Sequence, residues 1–309
     1  MTKTEQIRLT KIYTQSQLQS PYSSWRFSHR FWVFQRERVP IIALLTIGLV
    51  ATAAVAKISH NFDWTRVLIA TLMSSLYFLQ IRLADEPKDF EHDNKYHPNR
   101  PVQRGLITLK ELARAKNLTI TLFIGLACLT GSLMVVAVAV LQQLFSYLTR
   151  HEFFIRDWLR KHFFIYQYSH YLQLLILSWL SVTILQIQPL HEQIVYFGYI
   201  LALIAPIESS RTIGGVDEKQ ADDRYSFKLG TGVALASFLA VTLIMIGYTL
   251  YLIGHTAGNL NPILLIPGLL VIAVAAIRYE HNPITKNAEA LNVAALIMYL
   301  CSAGTLLLS

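Results

Sequence analysis

The apolar run VLIATLMSSLYFLQI, Val67 to Ile81, opens directly into RLADEPKDFEHD, Arg82 to Asp93. A charge-free stretch gives way to Asp85, Glu86, Asp89, Glu91 and Asp93, five acids in nine positions. Acids stacked where a chain leaves a membrane need something positive to hold. The reading of the whole chain follows from this junction. Further charge-free windows run over 39–56, 117–149, 162–191, 193–207, 229–277 and 290–309. With 53% hydrophobic and 15% charged residues, against about 25% charged in an ordinary soluble domain, the chain is not a water-soluble globule.

A membrane span needs roughly 17–25 apolar residues. The window 117–149 is too long for one helix and is predicted to fold back at Gly131-Ser132. The window 229–277 is predicted to break within Gly254 to Asn259 and Asn261-Pro262, where turn-forming residues cluster. The expected fold is therefore all-α: a polytopic membrane protein with about nine transmembrane helices. The windows at 67–81 and 193–207 are short, so their flanking charges must snorkel or line an internal cavity.

Basic residues sort by side. Residues 1–38 and the loops 82–116, 150–161, 208–228 and 278–289 hold 25 of the 27 Lys and Arg, leaving Lys57 and Arg66 for the other face. Cytoplasmic segments carry this excess, which predicts a cytoplasmic N-terminus in an integral protein of the plasma (inner) membrane. The net charge of +8 is accounted for by that sorting and by anionic headgroups, so no nucleic-acid partner is expected. Residues 1–38 hold no apolar segment of signal-peptide type. Instead Trp25, Phe27, Phe31, Trp32 and Phe34 alternate with Arg26, Arg30, Arg36 and Arg38, as in an interfacial amphipathic segment. The expected organisation is a cytoplasmic amphipathic segment, 1–38, followed by one transmembrane domain, 39–309, with cap loops 82–116 and 206–230. Glu86 and Glu208 lie 122 residues apart, a spacing of four helices. That suggests two four-helix pseudo-repeats plus one extra helix. Cys128 and Cys301 lie in predicted spans without a CxxC partner and read as packing residues.

If the second helix continues through the acids, Arg82, Glu86, Asp89 and Asp93 fall within about 60° of one another, with Pro87 the weak point. Grouped carboxylates repel unless a cation neutralises them, and Mg²⁺ takes one or two carboxylates together with phosphate oxygens. Lys95, Arg100 and Arg104 follow, suited to phosphate. Six acids pairing with eight basic neighbours in one solvated loop is the plain alternative. The second cap loop offers Glu208, Arg211, Asp217, Glu218, Asp222, Asp223, Arg224, Tyr225 and Lys228. Two acidic clusters at one cytoplasmic mouth would suit a two-metal diphosphate clamp.

These residues resemble the UbiA-type intramembrane prenyltransferases. Asp85-Glu86-x-x-Asp89-x-x-x-Asp93 fits the spacing of the family's NDxxDxxxD motif, with Asp for Asn and Glu for the first Asp. Asn99-Arg100-Pro101-Val102-x-x-Gly105-x-Ile107-Thr108 looks like its NRPxxxGxIS stretch. In the second motif, DxxxD, Glu208 stands for the first Asp and Thr212 falls where the second belongs. The resemblance implies Mg²⁺-dependent transfer of an isoprenyl group from an allylic diphosphate to a hydrophobic, often aromatic acceptor. It implies Asp89, Asp93 and Arg100 as catalytic residues and Asp85, Glu86, Asp89, Asp93, Glu208 and Asp217 as metal ligands. Lys95, Arg104, Arg211, Tyr225 and Lys228 are then the donor-binding set. The competing expectation is a catalytically silent prenyl-lipid-binding protein of the same fold.

Overall fold

A computed structural model describes residues 21–218, 224–255 and 262–308, and all regular structure among them is helical. In chain order the helices are α1 (Phe27–Arg38), α2 (Ile41–Ile58), α3 (Trp64–Lys88), α4 (Phe90–Tyr96), α5 (Leu109–Leu129), α6 (Leu133–Arg150), α7 (Arg156–Lys161), α8 (Phe163–Ile184), α9 (Leu190–Arg211), α10 (Tyr225–Leu229), α11 (Thr231–His255), α12 (Leu265–His281) and α13 (Thr285–Leu307). Nine of these are long, and eight are long and apolar enough to cross a membrane. The exception is α8, 22 residues long, whose first half carries Tyr166, Gln167, Tyr168, Ser169 and His170. Its length suffices for a span, and only its polar entry sets it apart.

The windows that read as short belong to full-length helices. α3 has 25 residues and α9 has 22, because each carries its flanking charges within its own helix. The break in the window 117–149 falls where expected. α5 ends with Gly131 at φ +67°, a left-handed conformation that glycine adopts without penalty. The start of α5 is fixed by a capping box. Glu111 N donates to Thr108 Oγ1 at 3.0 Å and Thr108 N donates to Glu111 Oε2 at 2.9 Å. In the window 229–277, α11 ends at His255 and a single 3₁₀ turn, Pro262–Leu264, leads into α12. Residues 256–261 lie outside the described residues, as do Asp222 and Asp223.

The chain divides into two compact units, Met1–Thr46 with Leu72–Ser132, and Ile47–Thr71 with Leu133–Ser309. In the first, Phe34, Val39, Leu79, Leu83, Val102, Ile107 and Leu112 form a buried cluster. The N-terminal aromatic segment is α1. Trp25, Phe27 and Trp32 are exposed while Phe34 is buried, so one face packs and the other remains apolar and open. Arg30 clamps Glu111 from both guanidinium nitrogens, at 2.9 and 2.5 Å. In the second unit α9 packs on α8, α11 and α13, and α12 pairs with α13. A Cβ at Gly268 on α12 would lie 3.2 Å from Met298 Cα, so the two backbones pass close together. The charged loop after α6 forms a 3₁₀ turn, Glu152–Phe154, and then α7, with Phe154, Ile155 and Trp158 exposed.

Candidate functional site

The first acidic run sits in the first unit. Pro87 lies in the last turn of α3, where it cannot donate a backbone hydrogen bond. α3 stops at Lys88, and Asp89, at φ −91° and ψ 0°, starts the separate short helix α4. The continuous helix expected through the cluster is therefore interrupted at Asp89. The path remains nearly helical, with Asp89 N donating to Asp85 O at 2.9 Å and Asp93 N to Asp89 O at 2.8 Å.

Glu86 and Asp93 are each only 1% exposed. Glu86 Oε1 accepts from Arg38 Nε and from Arg82 Nη2, both at 2.8 Å. Asp93 Oδ1 accepts from Arg100 Nη1, and Arg38 Nη2 lies 3.8 Å from Asp93 Oδ2. The second oxygen of each carboxylate, Glu86 Oε2 and Asp93 Oδ2, is buried and accepts no hydrogen bond. Arg38 thus spans two buried acids, each of which keeps one oxygen that accepts no hydrogen bond. Asp89 is half-buried. Burial, and then the Asp93 charge, push its carboxyl above the usual aspartate range, because both disfavour the ionised form. Asp85 is half-buried.

The downstream cations are placed unequally. Arg104 holds Glu37 at 2.7 and 2.8 Å and also reaches Asn99 O at 2.8 Å, and this guanidinium keeps Glu37 below the usual carboxylate range. Lys95 is exposed, its ammonium 4.8 Å from the Tyr96 ring centroid. A cavity of about 330 Å³ is lined by Arg38, His97, Asn99 and Arg100, with Glu37, Tyr96, Pro98 and Pro101. The sequence pattern placed Arg38 in an interfacial segment and did not single out Glu37. One signal was available: Glu37 is the sole acid between residues 6 and 62.

The second acidic run belongs to the second unit. Glu208 lies in the last turn of α9, where Oε1 accepts from Arg211 Nη1 at 3.0 Å. Arg224 reaches back to Arg211 O and, at 3.4 Å, to Glu218 Oε1. The Tyr225 and Tyr171 hydroxyls stand 3.4 Å apart, and burial pushes the Tyr225 phenol up. Lys228 is exposed. Asp217 Oδ1 accepts from Thr285 N at 2.7 Å and from Thr285 Oγ1 at 2.8 Å. It therefore caps the start of α13 from another segment, and these bonds hold its carboxyl below the usual range. A metal at Asp217 would have to use the other oxygen.

The chain from Thr212 to Val216 is pinned. Val216 N donates to Pro283 O at 2.8 Å, Tyr279 Oη to Gly214 O at 2.8 Å, and Tyr225 N to Thr212 O at 2.8 Å. A Cβ on Gly215 would stand 1.8 Å from Thr285 N and 2.3 Å from Asp217 Oδ1. Only glycine allows that approach.

No family model and no curated protein sequence matches the chain. Its fold is nonetheless found among solved structures. One, from work on the digeranylgeranylglyceryl phosphate synthase in membranes, superposes with a TM-score of 0.56 at 16% identity, over 91% of this chain and 100% of that one. Another, the apo structure of a UbiA homolog from Aeropyrum pernix K1, gives a TM-score of 0.60 at 13% identity, over 86% of this chain and 97% of that one.

Proposed function

We propose that this chain, which has the polytopic helical fold of a UbiA homolog, is a UbiA-type prenyltransferase of the plasma (inner) membrane with its N-terminus in the cytoplasm. It would transfer an isoprenyl group from an allylic diphosphate to a lipid-soluble aromatic acceptor. The carbon–oxygen bond to the diphosphate breaks, a bond forms between the prenyl carbon and the acceptor, and the acceptor releases a proton.

The observation that carries this reading is the pair of buried carboxylate oxygens that accept no hydrogen bond, Glu86 Oε2 and Asp93 Oδ2. Mg²⁺ fits this donor set, since hard carboxylate oxygens are what it takes. Glu86, Asp93 and the neighbouring Asp89 would hold it. Bound there, it would offset negative charge developing on the leaving diphosphate. Asp85 at the end of α3 would add a further oxygen. Arg100, lining the adjoining cavity, would contact the diphosphate bidentately, with Lys95 and Arg104 at its exposed edge. The apolar helices would hold the prenyl tail and keep water from the electron-deficient carbon. In the second unit Glu208, Arg211, Tyr225 and Lys228 form a second polar set after the sixth long helix, with Asp217 as its further acid.

The test is Mg²⁺-dependent release of diphosphate by the purified protein from a panel of allylic donors and aromatic acceptors, with product mass as the second readout. Asp93→Asn should lower the rate at least about 100-fold. An unaltered rate would overturn the metal assignment.

One observation favours a second reading, a catalytically silent prenyl-lipid-binding protein. Arg100, Arg104 and Arg211 each already hold a carboxylate, Asp93, Glu37 and Glu208 respectively. Turnover with any donor and acceptor excludes this reading.

A further inference from the structure

We propose that His92, Asp93 and His97 form a binding site for a borderline divalent cation, Zn²⁺ above all. One nitrogen of each imidazole and one carboxylate oxygen of Asp93 lie within 4.8 Å of one another. The backbone explains the grouping. His92 and Asp93 are consecutive in α4, and the chain leaves that helix at His97, φ −135° and ψ 56°. His97 N still donates to Asp93 O at 2.8 Å, which keeps the residue at the helix end. The two imidazole centroids then stand 5.8 Å apart.

A single Zn²⁺ bonds nitrogen and oxygen at about 2.0–2.2 Å. Donors spread over 4.8 Å close onto one ion with a modest change of side-chain rotamer. His92 has the freedom for it, being 47% exposed, whereas Asp93 is held almost fully buried. Asp93 Oδ1 lies 3.5 Å from His92 Nδ1, while Oδ2 accepts no hydrogen bond and stands 3.8 Å from Arg38 Nη2. Two imidazoles and one carboxylate leave a fourth position open on a tetrahedral ion. The site shares Asp93 with the all-oxygen set proposed for Mg²⁺, and its two nitrogen donors shift the preference, because imidazole suits Zn²⁺ while carboxylate and water suit Mg²⁺. The guanidiniums of Arg100 and Arg38 beside Asp93 oppose a bare cation and favour an anion in the fourth position. Phosphate should therefore tighten the binding.

The experiment uses the full chain in detergent micelles, freed of metal with a chelator and with no prenyl donor present. Co²⁺ is titrated by its visible absorption, and Zn²⁺ by competition with a metal indicator. One equivalent should bind, more tightly when inorganic phosphate is added. His92→Ala and His97→Ala should each weaken binding at least about 10-fold. His92 is exposed, so His92→Ala should keep the metal-free unfolding temperature while losing the rise that Zn²⁺ gives the unaltered chain. Equal Zn²⁺ affinity in the unaltered chain and in the double His92→Ala, His97→Ala variant overturns the proposal, as does failure of the unaltered chain to bind. Since no donor or acceptor enters the assay, failure of prenyl transfer would leave the outcome unaffected.

Discussion

Arg38 donates from Nε to Glu86 Oε1 at 2.8 Å, joining the last residue of α1 to the last turn of α3 across 48 positions of sequence. The Arg38 side chain is 13% exposed and that of Glu86 not at all, so the bond ties α1 to a fully buried acid. Removing one partner of a buried pair leaves the other charge uncompensated. Arg38→Ala should therefore lower the unfolding free energy by about 3 kcal/mol, read by denaturant unfolding in micelles. Pairing it with Glu86→Gln should recover part of that loss, the signature of a direct coupling.

The raised carboxyl of Asp89 sets a pH dependence. A group whose folded pKa lies above its unfolded value stabilises the fold at low pH. That contribution is lost as pH rises through the folded pKa. In the absence of divalent cations the chain should therefore lose stability as pH rises from below the ordinary Asp value of 3.8. Asp89→Asn should flatten this part of the curve, as seen in unfolding temperature against pH.

Gly215→Ala places a methyl group 1.8 Å from Thr285 N, and the loop must move away from α13. The expected cost is about 1–3 kcal/mol, as for other forced overpacking. Asp217→Ala, which only removes a helix cap, should cost less than Gly215→Ala, and Asp217→Asn should cost less again because an amide oxygen can still accept from Thr285. Thermal unfolding of the three variants orders them.

Arg100 and Arg104 should part company on substitution. Arg104 holds Glu37 where both side chains are partly exposed, and such a pair contributes about 0–1 kcal/mol. Arg100 holds Asp93, which is buried, so Arg100→Ala should cost more stability than Arg104→Ala. It should also bring the larger fall in Mg²⁺-dependent diphosphate release. Equal effects of the two in the release assay would detach Arg100 from the proposed chemistry.

The long helices were legible in sequence because membrane burial is written locally. An uncharged window of the right length becomes a helix, and Gly131 shows where such a window must turn. Pro87 flagged the weakness that became the break at Asp89. What sequence did not show were partners set by packing. Arg38 and Glu37 sit in a segment whose aromatic and basic residues satisfy a membrane-surface pattern equally well. Their carboxylate and guanidinium partners lie 48 and 67 residues away. Asp217 carried the same difficulty. Its acidity suggests a metal ligand, whereas its cap on Thr285, 68 residues on, depends on a backbone approach that only Gly215 permits.

The hydrogen bond from Val216 N to Pro283 O also orders events in time. A ribosome delivers the chain from its N-terminus, and Glu208 emerges long before the α12–α13 turn that fastens the residues following it. The acids after α3 have all their described partners once α5 has begun, but the segment after α9, although Tyr225 N already reaches Thr212 O, lacks its bonds to Pro283 and Thr285 until those residues are made. The first polar site can therefore assemble during synthesis, and the second must wait until the final helix begins.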